Sequence, residues 1–156
     1  MAQLREVLTK AGFGNVRTYI QSGNALVNTD LSSKEVEKRV HDLIKKHIGA
    51  DLVVVVRTAL QVQKFLNKNP FKSGHDISRA FFVLFEKTPP SQKVKELLAQ
   101  DFSPEKLAIT KDTAYMYIPG MYGRDTLSGG FLEKKLGVSA TMRNFNTLSK
   151  LVEMSK

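Results

Sequence analysis

The run Leu52-Val53-Val54-Val55-Val56 limits the folds open to this chain more than any other feature. Consecutive β-branched residues favour strand over helix. No polar residue alternates with them, so neither face of such a strand can look at water, and the run predicts a strand buried on both sides. Ala80 to Phe85 is a second wholly apolar stretch and predicts a second strand of the same kind.

Around these two runs the periodicity switches between helix and strand. Leu4, Val7, Leu8 and Ala11 recur at helical spacing, with Gly12 placed to stop the helix. Residues 15–20 alternate, putting Val16, Thr18 and Ile20 on one face and Arg17 and Tyr19 on the other. Gln21-Ser22-Gly23-Asn24 is turn chemistry, and a returning strand from Ala25 to Asn28 completes a hairpin. Ser32 or Ser33 caps a helix carrying Val36, Val40, Leu43, Ile44 and Ile48, which Gly49 ends. Beyond the valine run, Thr58 caps a helix with Val62, Phe65 and Leu66, broken at Asn69-Pro70-Phe71. Pro89-Pro90-Ser91 opens a helix with Val94, Leu97 and Leu98. Leu107 to Thr110 and Ala114 to Ile118 form a hairpin around Lys111-Asp112. Phe131, Leu132, Lys135 and Leu136 lie on a helix closed by Gly137. Val138 to Arg143 gives a last short strand, and Asn144 or Asn146 caps a final helix with Leu148, Leu151 and Val152.

The order is α-β-β-α-β, then α, then β-α-β-β-α-β, then α. A split β-α-β unit of the ferredoxin-like kind has the order β-α-β-β-α-β. The expectation is therefore an α+β chain of two fused ferredoxin-like units. Residues 1–57 form the first, which lacks its opening strand; residues 58–156 hold a connecting helix, a complete second unit and a C-terminal helix. In such a sheet the opening strand is central. Its absence leaves residues 52–56 without a neighbour and their amides unpaired. Either the natural chain begins upstream of Met1, or another segment, from a second copy for instance, fills the position.

Three stretches carry a resemblance. They are Val16-Arg17-Thr18-Tyr19-Ile20-Gln21-Ser22-Gly23-Asn24, Asn69-Pro70-Phe71, and Leu132-Glu133-Lys134-Lys135-Leu136-Gly137-Val138 continuing to Ala140-Thr141-Met142-Arg143-Asn144-Phe145-Asn146-Thr147. In order and spacing they resemble the bacterial family called domain of unknown function 1697, over essentially the whole chain. The resemblance implies two fused ferredoxin-like units and brings no activity or cofactor. Members of that family usually open with a strand and glycine-rich turn of the form L-R-G-I-N-V-G-G, which this chain lacks. It also carries Gly129-Gly130 where the pattern is helical, at a cost of about 2 kcal/mol in helix propensity relative to two alanines.

Bulk properties set the outer limits. The chain of 156 residues is long enough for one ordinary domain or two very small ones. With no cysteine it has neither a disulfide nor a thiolate metal site, which fits a reducing compartment. No apolar run nears the ~20 residues of a membrane span, and the charged start Gln3-Leu4-Arg5-Glu6 has no signal-peptide pattern. These features point to the cytoplasm, with no membrane partner. The formal charge of +9 would attract polyanions. Residues 1–78 hold 12 basic and 7 acidic groups and residues 79–156 hold 12 and 8, so the excess is spread evenly. Such a spread serves solubility without any polyanion partner.

Two candidate surfaces emerge. The first is the hairpin face with Arg17, Tyr19, Gln21, Ser22 and Asn24: a guanidinium for phosphate, a phenol ring for a base and amides for edge contacts. Plain turn chemistry and packing explain the same residues. The second is Arg143, Asn144, Asn146, Thr147 and Lys150, where free amides at a helix start would meet an anion. Capping alone explains one asparagine better than two. Tyr115 and Tyr117 share a strand face, as do base-stacking tyrosines in RNA-recognition modules, but packing between units accounts for them as well. His41, His47 and His75 lack the spacing of a zinc pair, and no cofactor motif is present. The leading expectation is a non-catalytic module binding a polyanion, nucleic acid or nucleotide-like ligand. The rivals are an enzyme acting on a small phosphorylated or carboxylated metabolite between the units, and a homo-oligomer paired through the open sheet position.

Overall fold

The computed structural model describes residues 2–19, 23–120 and 127–156. Their order is α1 (Ala2–Lys10), β1 (Gly14–Tyr19), β2 (Asn24–Asn28), α2 (Ser33–His47), α3 (Ala59–Asn67), β3 (Ala80–Phe85), α4 (Ser91–Leu98), β4 (Lys106–Ile109), β5 (Thr113–Tyr117), α5 (Gly129–Leu136), β6 (Ala140–Asn144) and α6 (Phe145–Met154). The chain is α+β, with two sheets and six α-helices among these residues.

Helix boundaries follow from local chemistry. The Ser32 hydroxyl accepts from Glu35 N–H while the Glu35 carboxylate accepts from Ser32 N–H, and Thr58 and Gln61 repeat the arrangement. Each reciprocal pair satisfies donors that a helix start leaves free. Of the two serines and two asparagines open as caps, Ser32 and Asn144 are the ones used. Past α1, Gly12 takes φ +100°. There Phe13 N–H donates to the Leu8 carbonyl and Gly12 N–H to that of Thr9, the bond pair of a Schellman end. Gly129 and Gly130 occupy the first two positions of α5, behind the Ser128 cap. A Cβ on Gly129 would stand 3.4 Å from Met142 Cβ, at the edge of ordinary contact, so α5 lies beside β6 at this end.

The larger sheet is antiparallel throughout, in the order β4-β5-β3-β6. Alternation along β3 sends Phe81, Val83 and Phe85 to one face, with Leu97 of α4 and Leu132 and Leu136 of α5. Phe82 and Leu84 go to the other face, with Val62, Phe65 and Leu66 of α3 and Leu148 and Val152 of α6. The sheet is thus covered on both sides, as the unbroken apolar run of Ala80–Phe85 requires. The smaller sheet is the β1–β2 hairpin, whose Val16 and Val27 pack with Leu8, Phe13 and Val36 of the α1–α2 region.

The valine run does not form the predicted strand. Residues 51–58 carry no regular secondary structure, and Leu52 and Val53 are 54% and 49% exposed. Strand identity needs a hydrogen-bonding neighbour, and β1 and β2 pair only with each other. The side chains still alternate: Val55 packs beside Phe82 and Leu148, Val56 beside Leu8 and Phe13. Val55 and Val56 therefore pack as strand residues do, without a ladder, while Leu52 and Val53 stay half exposed.

Its start is tied to α2. His41 Nε2 lies 2.7 Å from Asp51 Oδ1, with Lys45 Nζ 4.0 Å from Asp51 Oδ2. The Asp51 hydrogen bond, then that of Asp42, raises the His41 pKa above its ordinary value, and the His41 bond lowers that of Asp51. The His41 contribution is complete below its unfolded pKa of about 6.5 and is lost as pH rises through the raised folded value. The Asp51 contribution is complete above about 3.9 and is lost as pH falls through the lowered folded value. Asp51 is exposed and His41 partly so, and solvent screening keeps the effect on stability small. An NMR titration checks the pair: the His41 midpoint is expected to fall in Asp51→Asn, and an unchanged midpoint would refute the contact.

Candidate functional site

The hairpin turns two different faces to the molecule. Opposite Val16 stand Arg17 and Tyr19, whose cross-strand partners are Leu26 and Asn24. This second face meets β6 and α6. Arg17 Nη1 donates to the Met154 carbonyl, in the last turn of α6, and Nε donates to Asn15 O at 3.3 Å. Carbonyls at a helix C-terminus lack intrahelical partners and carry partial negative charge, so a guanidinium is well suited to them. Asn15, at the irregularity between Gly14 and Arg17, has φ 44°, a left-handed conformation that asparagine tolerates better than most residues.

Asn24 is buried. It donates from Nδ2 to the Tyr19 carbonyl at 3.1 Å and accepts at Oδ1 from Arg143 Nε at 2.7 Å. Arg143 Nη1 also donates to Thr141 Oγ1 and the Met142 carbonyl, each at 2.7 Å. Burial lowers the Arg143 pKa below its ordinary value, yet a guanidinium stays charged at neutral pH. Arg143 pairs with Phe82 across the sheet, which sets its side chain on the α3–α6 face, toward the hairpin.

Arg17 and Arg143 therefore act near opposite ends of one helix. Ten residues of α6 span about 15 Å. Arg17 binds its last turn, while Arg143 precedes the Asn144 cap by one residue. At that start, Asn144 Oδ1 accepts from Thr147 N–H at 2.8 Å and Thr147 is buried. Asn144, Asn146 and Lys150 are exposed, and Lys150 Nζ lies 3.6 Å from Glu153. Gln21 and Ser22, with Ile20, Arg124 and Asp125, fall outside the described residues. The two sequence-distant segments are thus joined through Asn24 and Arg143, with Tyr19 part-buried beside them and Arg17 at the far end of α6.

Other features lie elsewhere. Tyr115 is buried, edge-on to Phe82 at 5.7 Å, and burial raises its pKa. Tyr117 meets His75 edge-on at 4.7 Å and accepts from Asp76 N–H, so both tyrosines are packed. His75 Nδ1 sits 2.8 Å from the Ser73 carbonyl and so carries the proton; Nε2 accepts from Lys106 Nζ at 2.9 Å. A cleft of about 390 Å³ is lined by residues 11–14, 28–31 and Arg39. There the Arg39 guanidinium lies 5.5 Å from the centre of the Phe13 ring and donates to the Ala11 carbonyl at 2.6 Å. Sequence reasoning passed over this cleft. Its available signal was Gly12 and Gly14 flanking a single phenylalanine, which names no partner 26 residues further on. Among the described residues no three His, Asp or Glu side chains gather as a metal site, and no helix is long and apolar enough to cross a membrane.

These features define an α+β protein in which a two-stranded hairpin is tied to a doubly covered antiparallel sheet, by its own Arg17 to the last turn of α6 and by Arg143 of β6 to Asn24. The model of the family described as "Protein of unknown function (DUF1697)" matches residues 1–115, and the chain belongs to that family. No curated protein matches the sequence. Among solved structures it is similar to the conserved bacterial protein SP0830 from Streptococcus pneumoniae. The TM-score is 0.74 at 20% identity, and the match covers 100% of this chain and 88% of that one. At that identity the likeness speaks for the fold.

Proposed function

We propose that the protein is a non-catalytic cytoplasmic module that binds a polyanion, a nucleic acid or nucleotide-like ligand, at the seam between the hairpin and the start of α6. The chain then divides near residue 57 into two fused ferredoxin-like units. The sheet order β4-β5-β3-β6, built from a β-α-β-β-α-β string, supports the second of them.

The observation that carries the functional reading is the 2.7 Å bond from Arg143 to Asn24. It brings Asn24, at the start of β2, to the residue before the N-cap of α6, beside exposed Asn144, Asn146 and Lys150. Arg143 supplies fixed positive potential from a part-buried position, while the exposed amides and ammonium make the direct contacts. Arg17 holds the hairpin in place from the other end of α6.

Salt-dependent binding of a short single-stranded RNA tests the reading. Affinity is expected to fall steeply as salt rises, with a log–log slope of about −0.7 per phosphate contacted. Lys150→Gln is expected to reduce that slope by roughly one contact while leaving the fold intact. No binding at low salt, or binding indifferent to salt, would refute the proposal.

A further inference from the structure

The cleft at the ends of α1 and β2 takes no part in the RNA reading, and its lining carries both signs of charge. Its volume of about 390 Å³ is in the range of small-molecule sites. One wall is Arg39. The Phe13 ring, 5.5 Å away, and the 2.6 Å bond from Nη2 to the Ala11 carbonyl hold its guanidinium in place. That bond uses one of five N–H groups. It leaves the charge unneutralised, since among the described residues no carboxylate pairs with Arg39. The other wall is the turn after β2. There Thr29 Oγ1 accepts from Leu31 N–H at 3.2 Å, a local turn that fixes the chain around Asp30. Among the described residues the Asp30 carboxylate has no ion pair with any cation, Arg39 included. A guanidinium and a carboxylate that share a cleft without meeting leave room for a molecule that bonds both.

We propose that this cleft binds a free α-amino acid with an apolar side chain, its carboxylate on Arg39 and its ammonium on Asp30. The guanidinium fork matches a carboxylate, and both contacts are charge-assisted hydrogen bonds. The apolar side chain lies along Leu31, which lines the cleft and is 37% exposed. A bare anion meets repulsion from Asp30 and a bare cation meets repulsion from Arg39, so the pair of charges selects a zwitterion. The same pairing turns a polyanion away, which separates this cleft from the seam at α6. Solvent screens exposed charges, so binding is weak, with a Kd of about 1–10 mM.

Amide shifts of the isotope-labelled full chain, followed as L-leucine is added up to about 50 mM, test this. Saturable changes are expected at Gly12, Gly14, Asp30 and Leu31 and at the Arg39 Nε–H. Arg39→Gln and Asp30→Asn are each expected to raise the Kd about tenfold. Acetate and methylammonium, which each carry half of the charge pattern, are expected to bind about tenfold more weakly than leucine. Asp30→Asn keeps the test valid if Arg39→Gln does not fold, because Asp30 is exposed. No saturable change with leucine, acetate binding as well as leucine, or an unchanged Kd in Asp30→Asn would overturn the proposal. Failure of RNA binding leaves this one standing, because Asn144, Asn146 and Lys150 line no part of the cleft.

Discussion

Replacing Arg143 by leucine is expected to lower stability by about 2–4 kcal/mol, a fall in Tm of roughly 5–15 °C for a chain of this size. The side chain makes hydrogen bonds to Asn24, Thr141 and the Met142 carbonyl from a part-buried position. Bonds to a charged donor contribute about 1.5–3 kcal/mol each but do not add in full. The change also removes the donor that meets buried Asn24, whose amide would lose a charge-assisted partner in a place water reaches poorly. Arg143→Lys is expected to recover only part of the loss, since an ammonium cannot reproduce the fork that reaches Asn24 and Thr141 together. Thermal and urea unfolding of the two variants check this. A loss below about 1 kcal/mol in Arg143→Leu would mean that the hairpin is held by other contacts.

Phe82→Ala is expected to cost about 3–5 kcal/mol, the range for a large aromatic removed from a closed core. Phe82 is fully buried, edge-on to Tyr115, in the cluster with Leu66, Leu148 and Val152. That cluster holds α3 and α6 on the sheet. Phe82 is also the cross-strand neighbour of Arg143, so the two sites share a packing environment. A double-mutant cycle between Phe82→Ala and Arg143→Leu is expected to show coupling of about 0.5–3 kcal/mol. Strict additivity would separate the core from the seam. Loss of α6 packing in Phe82→Ala would also carry away the Met154 carbonyl that Arg17 binds.

Much of the fold was legible because its signals are local. The Ser32–Glu35 and Thr58–Gln61 boxes, the Gly12 and Gly137 stops and the Lys111-Asp112 turn each depend on residues within a few positions of one another. The unbroken apolar run Ala80–Phe85 announced a doubly covered strand, and the helices on either side of the sheet cover both faces. The valine run gave the same signal and no strand formed. Periodicity reports what side chains require, whereas a ladder depends on a neighbouring backbone that no local pattern encodes. Val55 and Val56 satisfied the side-chain requirement, and residues 52–55 found no ladder.

The candidate site was legible in the same limited way. Alternation placed Arg17 and Tyr19 on one face of β1, which the register agrees with. It did not show that this face meets α6, or that Arg17 serves the last turn of the helix whose start Arg143 adjoins. Asn24 reads as a turn residue, yet its burial and its bond to Arg143 come from a segment 119 positions away. Two asparagines near the start of α6 looked equivalent; the helix begins at Phe145, so Asn144 caps it and Asn146 is left to solvent.

Backbone amide shifts of labelled protein, followed as a short single-stranded RNA is added at low salt, test the central claim most directly. The account predicts changes concentrated at Tyr19, Gly23, Asn24 and residues 144–150, vanishing as salt is raised. Changes confined to the basic surface of α2, at Lys38, Lys45 and Lys46, or no change at saturating RNA, would contradict it.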